Sequence, residues 1–75
     1  MPVKRSHPLL RSVGVRIRKA RLAKGISQEQ LAFAANLDRS FVSGLERGEF
    51  NVSLLALAKL ARVLGVRLGS LVEDE

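Results

Sequence analysis

The chain of 75 residues is long enough for one domain with a small hydrophobic core, is too short for two, and without cysteine cannot form a disulfide framework. It contains a single histidine, so a structural zinc site is not expected either. The last three residues are acidic, so residues 1–72 carry 13 cations against 4 acids, a net charge of +9. That excess suggests a polyanionic partner, although a merely solvated basic surface would have the same composition.

The amino-terminal part of the chain predicts an arm followed by two helices. Residues 1–8 contain two prolines and no periodic pattern, and we interpret them as a flexible basic arm. From residue 9 to residue 24, apolar residues recur at spacings of three and four, which predicts a first helix that Gly25 ends. Ser27 and Gln30 then match a capping box, in which each side chain binds the other residue's backbone amide. This box predicts the start of a second, short helix.

A turn and two further helices are predicted next. Asn36 marks the end of the second helix, because asparagine tolerates the left-handed conformation better than most residues. Asp38 is the predicted N-cap of a third helix over residues 39–47, and the two short helices together form a helix-turn-helix. Ser53 and Gly65 bound a fourth helix that is rich in leucine and alanine.

The fold class follows from these elements. No segment alternates in the manner of a β-strand, so the chain is predicted to be all-α, with five helices within residues 9–72 and an acidic tail at residues 73–75. No apolar run approaches the roughly 18 residues of a membrane span, and the amino terminus lacks the apolar segment of a signal peptide. We therefore expect a soluble intracellular protein with no membrane partner.

Enzymatic residue groups are not apparent in the sequence. Cysteine is absent, no paired carboxylates or glycine-rich phosphate loop can be recognised, and the one histidine, His7, lies in the predicted arm. We therefore predict that the protein is not an enzyme and that it uses no cofactor, metal or small-molecule ligand.

Residues 28–47 match the twenty-residue helix-turn-helix pattern at its diagnostic positions. These positions hold an opening glutamine, a small residue where two helices approach, a turn asparagine and two buried aliphatic residues: Gln28, Ala32, Asn36, Val42 and Leu45. Together with SQ at one helix start, LERG at the next helix end and the later LAKLARVLGV, the chain over residues 11–72 resembles the Cro/repressor-type family, also called the XRE family. Its stretch LDRSFVSGLERG is most similar to controller proteins of restriction-modification systems.

The resemblance carries expectations about fold and function. It implies a compact lambda-repressor-like domain and a transcriptional regulator that binds double-stranded DNA sequence-specifically, with the third helix in the major groove. Such a protein would act in the cytoplasm of a prokaryotic cell or be encoded by a phage. Repressors and restriction-modification controller proteins are the types of regulator that the motif indicates.

One side of the third helix is the predicted reading surface for DNA. Arg39 is the strongest candidate for base contact, because arginine can donate two hydrogen bonds to guanine. Ser40 and Ser43 are weaker readers that could equally be small polar residues on a solvated surface. We interpret Gly44 as a position where a reading side chain is missing and the backbone approaches DNA, in preference to close packing inside the protein.

Further DNA contacts are predicted around this helix. In similar proteins the residue that matches Gln28 holds a phosphate at the start of the second helix and also supports the third helix. Arg47 and Asn51 are candidate phosphate contacts, although Arg47 could instead serve the helix dipole. Glu49 lies where relatives often carry basic residues, so this loop is expected to contribute less affinity than usual. Arg18, on the first helix, is interpreted as a solvated charge.

An ion pair is predicted inside the domain. Arg21 lies on the apolar side of the first helix, where an unpaired charge would be costly. The resemblance suggests Glu46 as its partner, which would tie the first helix to the third. We expect this pair to be structural.

The apolar residues near the carboxyl end exceed what a domain of this size can bury. A homodimer on a palindromic operator is the predicted solution, with two recognition helices about 34 Å apart. The predicted dimer interface consists of Leu55, Val63, Val66, Leu68, Leu71 and Val72. The alternative is an antitoxin-type module that holds a partner protein through this region and binds DNA secondarily.

Overall fold

The computed structural model describes residues 7–72, which fold into five helices and contain no strand. The helices are α1 (Pro8–Lys24), α2 (Gln28–Ala35), α3 (Arg39–Glu46), α4 (Leu54–Leu64) and α5 (Leu68–Leu71). The all-α prediction is thereby confirmed. Residues 1–6 of the predicted arm and the acidic tail at residues 73–75 lie outside the described range. Within that range, no helix combines the length and apolar character that crossing a membrane would need.

Helix α1 begins one residue earlier than the sequence pattern indicates. The His7 Nδ1 atom accepts a hydrogen bond of 3.0 Å from the Leu9 amide, and Pro8 occupies the first helical position. Proline suits that position, because its φ is already helical and its missing donor would have no partner there. His7 and Pro8, interpreted above as part of a flexible arm, therefore form the start of the helix.

The two ends of α2 and the start of α3 carry local signals that the sequence displays. The Ser27 hydroxyl accepts from the Gln30 amide at 2.9 Å, and the Gln30 side chain accepts from the Ser27 amide at 2.8 Å. Asn36 ends α2 in the left-handed conformation, at φ 57°. Asp38 differs from its predicted role, because its carboxylate accepts from the Ser40 hydroxyl at 2.9 Å and makes no capping bond to α3.

The hydrophobic core lies where α1, α2, α3 and α4 meet, and α5 closes one end of it against α1 and α4. Its largest fully buried side chains are Ile17, Leu31, Val42, Leu60 and Leu71. Leu71 is 2% exposed, so its placement in the predicted dimer interface is wrong. Because α5 folds back onto the core, this leucine is used within the domain. Val66 and Leu68 are also partly buried against the core.

Two glycines allow α1 and α3 to approach closely. A β-carbon at Gly14 would overlap the carbonyl oxygen of Leu45 and lie 2.7 Å from that of Glu46. A β-carbon at Gly48 would lie 2.9 Å from the Arg11 Cα, and the positive φ of 73° at Gly48 disfavours any other residue. The backbone of α1 therefore rests directly on the carboxyl-terminal half of α3.

Candidate nucleic-acid interface

A buried polar network joins α1, the start of α2 and the end of α3. The Arg21 guanidinium binds Glu46 through two hydrogen bonds, Nε to Oε2 at 2.6 Å and Nη2 to Oε1 at 3.0 Å. Its Nη1 donates to the Ile26 carbonyl oxygen at 3.0 Å. The contact between Arg21 and Glu46 is the ion pair that the resemblance suggested. The hydrogen bond with Glu46 raises the pKa of Arg21 above its ordinary value, despite the opposing effect of burial, so the guanidinium stays charged.

Gln28 extends this network to the surface. Its Nε2 donates to the Glu46 Oε1 at 3.0 Å, which connects the first residue of α2 to the last residue of α3. One amide hydrogen is used in this way, and an amide group carries two. Gln28 thus supports α3 from inside while its half-buried side chain remains at the exposed start of α2. The backbone amides there favour an anion.

A polar cleft opens beside Gln28. It is lined by residues from α1, the start of α2 and the start of α3: Arg18, Arg21, Ser27, Gln28, Glu29 and Arg39. The cleft brings Gln28 and Arg39 together, which are the strongest phosphate and base candidates of the sequence. The cleft also includes Arg18, which has an exposed side chain. The sequence alone indicates no more than a solvated charge at this position. Arg18 could be grouped with them only once the packing of α1 against α3 was known.

The remaining candidates on α3 are engaged with neighbouring side chains. The Ser40 hydroxyl donates to Asp38, as described above, and the Ser43 hydroxyl accepts from the Arg47 Nη1 at 2.6 Å. The other two nitrogens of Arg47 bind the Glu49 carboxylate, and this hydrogen bonding raises the pKa of Arg47 above its ordinary value. Any phosphate contact by Arg47 must therefore accommodate Glu49.

Asn51 does not line the cleft and lies in the loop between α3 and α4. It lines a small depression with residues from the start of α1, namely His7, Leu9 and Leu10. Asn51 is exposed, so it remains a candidate phosphate contact beyond the carboxyl end of α3.

Gly44 has a packing role, and its interpretation as an open backbone position facing DNA is wrong. The residue is buried, and a β-carbon there would overlap the Phe50 ring. Phe50 also stacks on Phe41, with ring centroids 6.1 Å apart and planes at 17°. The loop after α3 folds back over this helix, so the glycine provides space for an aromatic ring. The signal available in the sequence was Phe50, an aromatic residue shortly after the glycine.

Comparisons with known proteins match this architecture. Residues 17–71 match the helix-turn-helix family. The control protein C.BamHI of Bacillus amyloliquefaciens is 43% identical over 61 residues, which are 80% of this chain and 75% of that protein. The crystal structure of the restriction-modification controller protein C.AhdI from Aeromonas hydrophila has a TM-score of 0.80 at 52% identity, covering 83% of this chain and 94% of that one. SinR of Bacillus subtilis, solved in complex with DNA, has a TM-score of 0.78 at 35% identity, covering 81% and 98%.

Proposed function

Since the chain belongs to the helix-turn-helix family, we propose that it is a DNA-binding transcriptional regulator of the controller-protein type, which binds a specific double-stranded operator. The resemblance identified in the sequence is confirmed by these relatives. They are regulators and controller proteins, which favours a regulator over the antitoxin-type alternative. The observation that carries the proposal is the cleft in which Gln28 and Arg39 lie together at the exposed starts of α2 and α3.

The geometry supports a division of work between the two helices. The start of α2 presents backbone amides and the second amide hydrogen of Gln28 to a phosphate, which sets the position of the protein on the duplex. Arg39 is exposed at the first position of α3 and can reach the major groove, where it reads guanine. Because Gln28 and α3 are joined through Glu46, the phosphate contact also sets the orientation of the reading helix.

Two substitutions separate these roles. We expect Arg39→Ala to reduce the preference for the operator over random DNA by about 1–3 kcal/mol, because a bidentate base contact is lost. Gln28→Ala should weaken binding to both duplexes by similar factors, because a phosphate contact carries no sequence information. The operator is first obtained by selection from random duplexes, and affinities are then measured by fluorescence anisotropy.

Lys19→Ala is the matched control for these two variants. It removes one exposed positive charge from α1, outside both the cleft and the groove between α2 and α4. We expect only the small, uniform loss that one distant charge produces. Equal binding of all duplexes by the unmodified protein at about 150 mM salt would contradict the proposed specificity.

A homodimer on a palindromic operator completes the proposal. Leu54 and Leu55 on α4 are 69% and 78% exposed, an uncommon exposure for two adjacent leucines, and Leu55 and Val63 line the groove beside α2. A second copy would cover this surface, with Val66, Leu68 and Val72 at its edge. Two-fold symmetry would then place two α3 helices about 34 Å apart, one DNA turn.

Sedimentation velocity at tens of micromolar protein tests the dimer. We expect the unmodified protein to sediment as a dimer. The Leu55→Ser variant should shift toward monomer, because a small polar side chain replaces an apolar one in the interface. Leu22→Ser is the control, since Leu22 is 54% exposed but lies on α1. A monomeric unmodified protein would remove the dimer from the proposal.

A further inference from the structure

An ion pair lies at the carboxyl end of α3, next to the proposed DNA-reading surface. The Glu49 Oε2 and Oε1 atoms accept from the Arg47 Nε and Nη2 at 2.8 and 3.1 Å, and the Arg47 Nη1 donates to Ser43 at 2.6 Å. The side chains of Arg47 and Glu49 are 57% and 20% exposed. The guanidinium is therefore accessible, but a carboxylate already occupies the edge that would hold a phosphate in two-point contact.

The backbone holds this carboxylate in place. Gly48 turns the chain in the left-handed conformation, and the Glu49 amide then donates to the Gly44 carbonyl oxygen at 3.0 Å. The next residue, Phe50, packs over Gly44. Glu49 is thus fixed on both sides, and its carboxylate meets Arg47 through the fold of the loop.

We propose that Glu49 limits the affinity of this protein for DNA by occupying Arg47 in the place of a backbone phosphate. The inference rests on the proposed DNA-binding function. Carboxylate and phosphate both accept two parallel hydrogen bonds from a guanidinium, so they compete for the same edge of Arg47. The pair has no net charge, and the end of α3 therefore adds little attraction for the duplex.

The effect of Glu49 is independent of DNA sequence. Phosphate contacts supply essentially all of the binding to random DNA and are also made on an operator, so an occupied Arg47 weakens binding to both. Base reading by Arg39, at the other end of α3, is unaffected. Glu49 therefore lowers the affinity for every duplex by a similar factor.

The substitution Glu49→Gln tests this inference, because it removes the charge at almost constant shape. We expect affinity for both operator and random duplexes to rise about fivefold at low salt, the factor for one charge contact in water. The slope of log affinity against log salt should become steeper by about one, as one more phosphate contact predicts. The ratio between operator and random affinities should stay constant.

Arg47→Ala distinguishes competition for Arg47 from simple repulsion by Glu49. In the otherwise unmodified protein this change leaves Glu49 unpaired beside the duplex and should weaken binding, whereas combined with Glu49→Gln it should return the affinity to that of the unmodified protein, without the roughly fivefold gain. Thermal unfolding of each variant verifies that the fold is retained, since an exposed pair contributes little stability.

Three results would overturn the inference about Glu49: an unchanged affinity in Glu49→Gln, a weaker affinity in Glu49→Gln, or a double variant, Arg47→Ala with Glu49→Gln, that still binds about fivefold more tightly than the unmodified protein. Failure of the proposed function gives a different result, because the unmodified protein would then not discriminate operator from random DNA. Measurements on the random duplex alone still decide the role of Glu49.

Discussion

Replacing Glu46 by alanine is expected to lower the free energy of unfolding by about 3–5 kcal/mol, the cost of leaving a buried charge without its partner. Arg21 is 7% exposed and, within residues 7–72, would retain only its hydrogen bond to the Ile26 carbonyl oxygen. Gln28 would lose its internal acceptor as well. A domain of this size has a total stability of roughly 4–11 kcal/mol, so a large part of it is at stake. Urea unfolding followed by circular dichroism measures the loss.

Glu49→Ala is the matched control for this prediction. It breaks an Arg–Glu pair of similar geometry on the surface, where we expect a loss of less than about 1 kcal/mol. A combined Arg21→Met and Glu46→Leu variant should be more stable than Glu46→Ala alone, because no unpaired charge remains in the core. Equal losses for Glu46→Ala and Glu49→Ala would show that burial does not determine the cost.

Gly14→Ala is expected to lower the free energy of unfolding by about 3 kcal/mol, at the upper end of the typical cost of overpacking. The added methyl group meets two carbonyl oxygens of α3, and backbone atoms cannot rotate away as a side chain can. This cost outweighs the roughly 1 kcal/mol that alanine gains over glycine inside a helix. Separation of α1 from α3 should also weaken DNA binding, because the reading helix shifts relative to the cleft.

Gly69→Ala provides the control for Gly14→Ala. Gly69 lies in α5, and a β-carbon there would have no atom within 4 Å. We expect it to be neutral or to stabilise the domain by up to about 1 kcal/mol. Similar melting temperatures for the two variants would contradict the proposed close approach of α1 and α3.

The features that could be predicted from sequence are those that depend on neighbouring residues. The capping box of Ser27 and Gln30 and the left-handed Asn36 involve residues at most a few positions apart, so short motifs specify them. The partnership of Arg21 with Glu46 spans 25 residues and followed from family resemblance, since no local pattern encodes it.

The features that could not be predicted depend on how distant segments pack. Gly14 shows no local signal for the approach of α3, and Gly44 looked exposed because the loop that covers it has no regular pattern. Glu49 was expected near DNA, but its bonds to Arg47 result from the turn at Gly48. Leu71 was placed at an interface because the return of α5 onto the core is not visible in its short apolar sequence.

One side of α3 is buried in the domain and the other is exposed, and this difference affects how the DNA preference of the protein can evolve. The residues that hold the helix in the domain, Val42, Leu45 and Glu46, are buried, whereas Arg39 and Ser40 at its start are exposed. Substitutions at the exposed positions should therefore cost little stability. New operator preferences can then arise by exchange of a few surface residues, while the packing that orients them is inherited unchanged.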